Sequence, residues 1–165
     1  MRVGNFMDLN FDNMLKIGDK MPDFVVVDQD GNQVSSSELL GKKTIIYFYP
    51  KDNTSGCTSE ACNLRDNYHA LQAKGYNVVG VSKDSAASHR RFKDKYDLPF
   101  TLLSDTSTEM LQTFGAWGEK KMYGKTVMGT VRKTFLFDEE GVLTDIIKKV
   151  DVKNHAAQIL ENSGN

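Results

Sequence analysis

Cys57 and Cys62 stand five residues apart in the segment Tyr47-Phe-Tyr-Pro-Lys-Asp-Asn-Thr-Ser-Gly-Cys-Thr-Ser-Glu-Ala-Cys62, and they are the only cysteines of the chain. A thiol can act as a nucleophile, a redox centre or a metal ligand, and its setting decides which. No second cysteine pair or close histidine completes a zinc set around Cys-x4-Cys. The Cys-x-x-Cys of dithiol reductases is also missing. What remains is redox or nucleophilic chemistry by one activated thiol with a second thiol nearby, or a buried cysteine that serves only as a small hydrophobe.

Local elements support this. Thr44 to Tyr49 is an aromatic and β-branched run, apolar on both faces, as expected of a central strand covered by helices; it stops at Pro50. A polar turn follows. From Cys57 to about Lys74 the pattern is helical, with Gly75 suited to the position just past the helix end. On a helical wheel Cys57 shares a stripe with Ala61, Leu64, Tyr68 and Leu71, opposite Asp66, His69 and Ala73. Cys62 points roughly 140° away from Cys57. Five residues of helix also separate the two Cα atoms by ~8.6 Å, whereas a disulfide needs them within ~7 Å. A Cys57–Cys62 bond therefore requires the first helical turn to unwind. Gly56, Thr58 and Ser59 make that turn easy to open.

The helix start also favours a thiolate, through unpaired N–H groups and the positive end of the helix dipole. Thr54 can donate its hydroxyl to the sulfur or to a substrate oxygen, or it can simply cap the helix. The turn Asn53 to Gly56 can present backbone amides, with glycine allowing close approach. Arg132 shares a strand face with Thr134 and Leu136, and an arginine so placed needs an anionic partner. The sequence leaves open whether that partner is Cys57 or a carboxylate. His69, His89 and His155 fall on helix faces that read as solvated, and none is given a role.

The remaining chain frames this segment. Short strands are expected at Val25 to Val27, Val78 to Ser82 and Phe100 to Leu103, and a short helix from Ser35-Ser-Ser-Glu38. Helices are expected over Ser85 to Tyr96, Thr106 to Phe114 and Val152 to Leu160. Gly115 to Gly129 reads as an irregular excursion, and Val131 to Phe137 with Val142 to Lys149 as a hairpin. Alternating strands and helices with a closing hairpin predict a three-layer α/β domain with a mixed sheet. Residues 1–16 read as an N-terminal extension and 17–165 as one domain. The first residues lack a continuous apolar stretch, so no signal peptide is expected and the cytoplasm is the expected location. A net charge of −1 predicts no broad attraction to nucleic acid or anionic membrane.

The active segment resembles that of peroxiredoxins, in the bacterioferritin comigratory protein or peroxiredoxin Q branch. The family pattern Pro-x-x-x-Thr-x-x-Cys stands here as Pro50, Thr54 and Cys57. Further similarity lies in Gly18-Asp-Lys-Met-Pro-Asp-Phe24, Leu102-Leu-Ser-Asp105, Trp117-Gly-Glu-Lys-Lys121 and Arg132-Lys-Thr-Phe-Leu-Phe-Asp138. One departure is Ser55, where the family usually has proline. The resemblance implies a thioredoxin-like fold and a thiol peroxidase without haem, flavin or metal. It implies Cys57 as the peroxidatic nucleophile, Cys62 as the resolving cysteine, Pro50 as a shield, Thr54 as a peroxide-positioning group and Arg132 as the stabiliser of negative charge. It further implies hydroperoxide substrates, an intramolecular disulfide reduced by thioredoxin or a similar dithiol, and a monomer or weak dimer. A protein thiol–disulfide oxidoreductase and a peroxide sensor that passes oxidation to a partner are the competing readings.

Overall fold

The structure is a computed structural model that describes residues 14–162. Residues 1–13 of the expected N-terminal extension lie outside the described residues. Strands β1 (Val25–Asp28), β2 (Gln33–Ser35), β3 (Lys43–Phe48), β4 (Tyr76–Ser82), β5 (Thr101–Ser104), β6 (Trp117–Met122), β7 (Lys125–Thr130), β8 (Lys133–Phe137) and β9 (Leu143–Ile147) are joined by five α-helices among the described residues. These are α1 (Ser55–Asp66), α2 (Tyr68–Ala73), α3 (Ala86–Tyr96), α4 (Glu109–Thr113) and α5 (His155–Asn162). Seven strands form one sheet in the order β2-β1-β5-β4-β3-β8-β9. β3, β4 and β5 run parallel, while β1 and β8 flank them antiparallel. This is the mixed sheet that the sequence predicts.

β3 is central because both its faces are apolar. Ile45, Tyr47 and the following Tyr49 pack with Cys57, Ala61 and Leu64 of α1, Phe92 of α3 and Ile159 of α5. Ile46 and Phe48 face the opposite layer, with Met110 and Leu111 of α4 and with Phe114, Phe135 and Phe137. The result is three layers, with the cysteine helix on one face of the sheet. Gly80 on β4 allows Tyr47 to lie close, since a methyl there would stand 2.9 Å from the Tyr47 ring.

Three expectations need correction. The helix expected from Cys57 to Lys74 is two helices. It starts earlier, at Ser55, and breaks at Asn67 (φ −111°, ψ 16°), whose side-chain amide donates to the Asn63 carbonyl. The helix expected from Thr106 is shorter, because Thr108 sits in the left-handed region and the Asp105 carboxylate accepts from the Leu111 N–H instead. Finally, Gly115 to Gly129 is not irregular. β6 and β7 pair antiparallel from Trp117↔Thr130 to Met122↔Lys125, closed by Tyr123 and Gly124, both at positive φ. Lysines interrupt the alternation in these strands, and a tyrosine occupies a turn position where asparagine or glycine would be the signal.

Candidate active site

α1 starts three residues before Thr58, so Cys57 falls in its first turn, with its side chain 1% exposed. Thr54 is the N-cap in extended conformation, and its backbone carbonyl accepts the first helical bond, from the Thr58 N–H at 2.8 Å. Its side chain makes no cap. The Oγ1 hydroxyl donates to the Lys51 carbonyl at 2.8 Å, tightening the loop before the helix. No side chain at the N-cap thus competes for the first-turn amides, which suits an anionic sulfur or a substrate oxygen. Pro50 lies half-buried at the bend where β3 gives way to this loop.

Arg132 comes from the residue before β8, next to β3, and reaches across to α1. Its Nη2 donates to Cys57 Sγ at 3.4 Å and its Nη1 to Glu60 Oε1 at 2.6 Å. The alternative left open by the sequence resolves as both: thiol and carboxylate share one guanidinium. It passes close over Gly56, where a methyl would sit 3.4 Å from Nη2, an ordinary contact. Burial works against the charge on Arg132, but the neighbouring Glu60 and Cys57 outweigh it and hold its pKa above the usual arginine value.

Glu60 is fully buried. Desolvation pushes its carboxyl up to about 7, against the opposing pull of Arg132. Only Oε1 is hydrogen-bonded; Oε2 has no hydrogen-bond partner among the described residues and lies 3.5 Å from His155 Nε2. His155 accepts the Thr134 hydroxyl at Nε2 (2.7 Å) and donates from Nδ1 to Gln158 Oε1 (2.8 Å). That pattern fits a neutral ring, and burial lowers its pKa to about 4.

Cys62 is half-buried in the same helix, and both thiols are free. The structure therefore brings together Cys57 and Arg132, keeps Thr54 at the helix start and leaves Cys62 on another side of an intact helix. It also overturns the solvated reading of two histidines. His89 and His155 are fully buried; only His69 is exposed. His89 shares the inner face of α3 with Phe92, and His155 that of α5 with Ala156 and Ile159. Helical spacing of those apolar residues was the available signal for both. For Glu60 it was the i, i+3 position after Cys57 on a helix already assigned to the core.

A sheet flanked by helices, with a buried free thiol at a helix start under an arginine, is the arrangement of a thiol enzyme. Comparison makes the assignment specific. Residues 17–146 match the AhpC/TSA family, and the chain belongs to that family. Peroxiredoxin Bcp of Bacillus subtilis is 43% identical over 147 residues, 89% of this chain and 94% of that protein. Peroxiredoxin Bcp of Escherichia coli is likewise 43% identical, over 148 residues, 90% of this chain and 95% of its own length. Among solved structures, the bacterioferritin comigratory protein of Xanthomonas campestris superposes with a TM-score of 0.80 at 35% identity, covering 86% of this chain and 90% of that one. A PrxQ variant from Xylella fastidiosa gives 0.83 at 29% identity, covering 89% and 94%. The fold is therefore the thioredoxin-like one of peroxiredoxins, and the chain is a peroxiredoxin of the Bcp, or PrxQ, type.

Proposed function

We propose that the chain reduces hydrogen peroxide and organic hydroperoxides through Cys57, with Cys62 as the resolving thiol. The observation that carries this reading is the 3.4 Å bond from Arg132 Nη2 to Cys57 Sγ at the uncapped start of α1. The Cys57 thiolate attacks one peroxide oxygen, an S–O bond forms and the O–O bond breaks. Sulfur is oxidised by two electrons to sulfenic acid, and the leaving oxygen takes up a proton as water or alcohol. Arg132 and the first-turn amides stabilise charge as it moves along the O–O axis. Thr54 is positioned by its bond to Lys51 to present its oxygen to the peroxide, and Pro50 shields the thiol on the strand side.

In the second half-reaction the Cys62 thiol displaces water from the Cys57 sulfenic acid. Both cysteines lie in one helix, so this step requires the first turn of α1 to unwind. A dithiol, thioredoxin or a similar protein, returns the disulfide to two thiols by exchange. We place the cycle in the cytoplasm, where such a dithiol pool is kept reduced, and in a single domain of residues 17–165 acting as a monomer or weak dimer. Among the described residues no helix is long and apolar enough to cross a membrane.

The test is peroxide consumption with thioredoxin, run beside two variants. Cys57→Ser is expected to lose all turnover. Cys62→Ser is expected to consume about one equivalent of peroxide and then stop. Full turnover by Cys57→Ser would remove Cys57 as nucleophile; sustained turnover by Cys62→Ser would remove Cys62 as the resolving thiol.

A further inference from the structure

Beyond the C-terminal ends of β3, β4 and β5 lies a second buried polar cluster that the thiol chemistry does not touch. Asp52 is 7% exposed and His89 not at all. His89 Nδ1 lies 2.7 Å from Asp52 Oδ2, and its Nε2 lies 2.9 Å from the Leu103 carbonyl. Both ring nitrogens thus have an oxygen partner. The Tyr49 hydroxyl donates to Asp52 Oδ1 at 2.6 Å and the Ser88 hydroxyl to Oδ2 at 2.8 Å. The Asp52 N–H in turn donates to Asp84 Oδ2 at 2.8 Å, and Ser82 Oγ donates to that same oxygen at 2.7 Å. Each oxygen of the Asp52 carboxylate is thus satisfied, and the pair ties three strand ends to the first turn of α3.

Asp52 sits two residues before Thr54, in the loop that delivers Cys57. The next residue, Asn53, is left-handed (φ 62°), and its Oδ1 accepts from the Tyr96 hydroxyl at 3.1 Å. The loop is therefore anchored from both sides by α3. The helix it leads into begins without a side-chain cap. A rigid strap meets a helical turn that must open.

We propose that the hydrogen-bonded Asp52–His89 pair is a positioning device for Cys57, fixing the upstream boundary of the segment that unwinds and so setting the balance between peroxide capture and disulfide formation. The proposal rests on the reading of Cys57 as nucleophile. With the strap held, the thiolate stays under Arg132 for attack and the helix opens only from Ser55 onward. With the strap loosened, the thiolate is held less well, while Cys57 escapes towards Cys62 more readily. Disulfide formation competes with a second peroxide that would carry the sulfenic acid to sulfinic acid, so the strap also governs that loss.

The test uses the full chain with Asp52→Asn, His89→Gln and the double variant. Three quantities are followed: the second-order rate of peroxide with Cys57, the first-order rate of disulfide formation, and the sulfinic fraction by intact mass under excess peroxide. Each single variant is expected to slow peroxide capture about tenfold, the cost of a small misplacement of a reacting group. Each should also speed disulfide formation and lower the sulfinic fraction. The double variant should be no worse than the worse single one, because the two residues act as one unit. A role in stability alone would reduce the reacting fraction and leave both rates unchanged, and that result overturns the proposal, as would additive losses. Tyr49→Phe removes the bond to Asp52 and a 3.5 Å contact with His89 Nδ1 but leaves the pair itself, so it serves if the other variants do not fold. It should move the same two rates in the same directions by about twofold, in line with a loss of one modest hydrogen bond; unchanged rates contradict the proposal. Turnover by Cys57→Ser would instead strike at the nucleophile assignment.

Discussion

Two buried carboxylate–imidazole clusters flank the thiol, and they are built to opposite ends. At Asp52 and His89 both carboxylate oxygens and both ring nitrogens are hydrogen-bonded. At Glu60 and His155 one carboxylate oxygen has no partner among the described residues, and the imidazole is neutral. A buried pair with every polar atom satisfied acts as a fastener. A half-satisfied carboxylate whose pKa is pushed up to about 7 can gain or lose a proton under physiological conditions. The saturated cluster holds the approach to the helix. The unsaturated one lies within it, a turn beyond Cys57, and shares the arginine that faces the sulfur.

The comparison breaks first at Arg132, which belongs to the unsaturated side and contacts the sulfur directly. Arg132→Met is expected to lower kcat/KM for peroxide by about 10²–10³-fold, the scale for removing one donor aimed at developing charge. Arg132→Lys should not recover it, because one ammonium does not reproduce a fork that reaches Sγ and Glu60 together. Activity within tenfold of the parent would show that the 3.4 Å contact has no catalytic weight.

Glu60→Gln is the next largest perturbation. It keeps an acceptor for Arg132 and removes the charge, so peroxide reactivity should fall about tenfold, the value of trading a charge-assisted bond for a neutral one. The parent should show an inflection near pH 7 that this variant lacks, as Glu60 takes a proton and loosens Arg132. An identical pH profile in both proteins would assign that inflection elsewhere.

The same pair makes a stability prediction with two signs. The Glu60 pKa rises from 4.5 to about 7 on folding. Its contribution is therefore fully present below pH 4.5 and is lost as pH rises through 7, on the order of 3 kcal/mol. The His155 pKa falls from 6.5 to about 4. Its contribution is present above pH 6.5 and is lost as pH falls through 4, by a similar amount. Between pH 4.5 and 6.5 the two nearly cancel. Urea midpoints should show that Glu60→Gln gains stability relative to the parent as pH rises from 4.5 to 7, and His155→Gln as pH falls from 6.5 to 4. Parallel curves for parent and variants would refute the assignment of either group.

Ser55 gives the smallest expected effect. It is the first residue of α1, where proline is well tolerated because its missing N–H is not needed. Ser55→Pro should stabilise the reduced protein by about 0.4–1 kcal/mol through the unfolded chain, and slow disulfide formation a few-fold. Unchanged resolution kinetics would place the hinge elsewhere.

Much of this arrangement is legible in the sequence, and the part that is not has a common cause. The β3 run, the cysteine helix, its core stripe through Ala61 and Leu64 and the face shared by Arg132, Thr134 and Leu136 all follow from local periodicity. The partners that complete the site are polar groups brought in from afar. Arg132 lies 75 positions from Cys57, and Thr134 lies 21 from His155. A histidine on a helix rich in lysine and arginine reads as solvated unless its spacing from Phe92 is weighed, and its partners, Asp52 and the Leu103 carbonyl of β5, come only with the fold. The break at Asn67 escapes a pattern reading for another reason: asparagine ends a helix only when its side chain turns back to bond the preceding turn.

The two regions should differ most in mobility, a strap that stays closed beside a helical turn that opens. Amide hydrogen exchange of the reduced and disulfide forms measures it directly. Ser55 to Ala61 should exchange much faster in the disulfide form, while Ser88 to Phe92 should remain equally protected in both. Equally slow exchange across Ser55 to Ala61 in the two forms would contradict the account, because a Cys57–Cys62 bond would then have formed without the helix giving way.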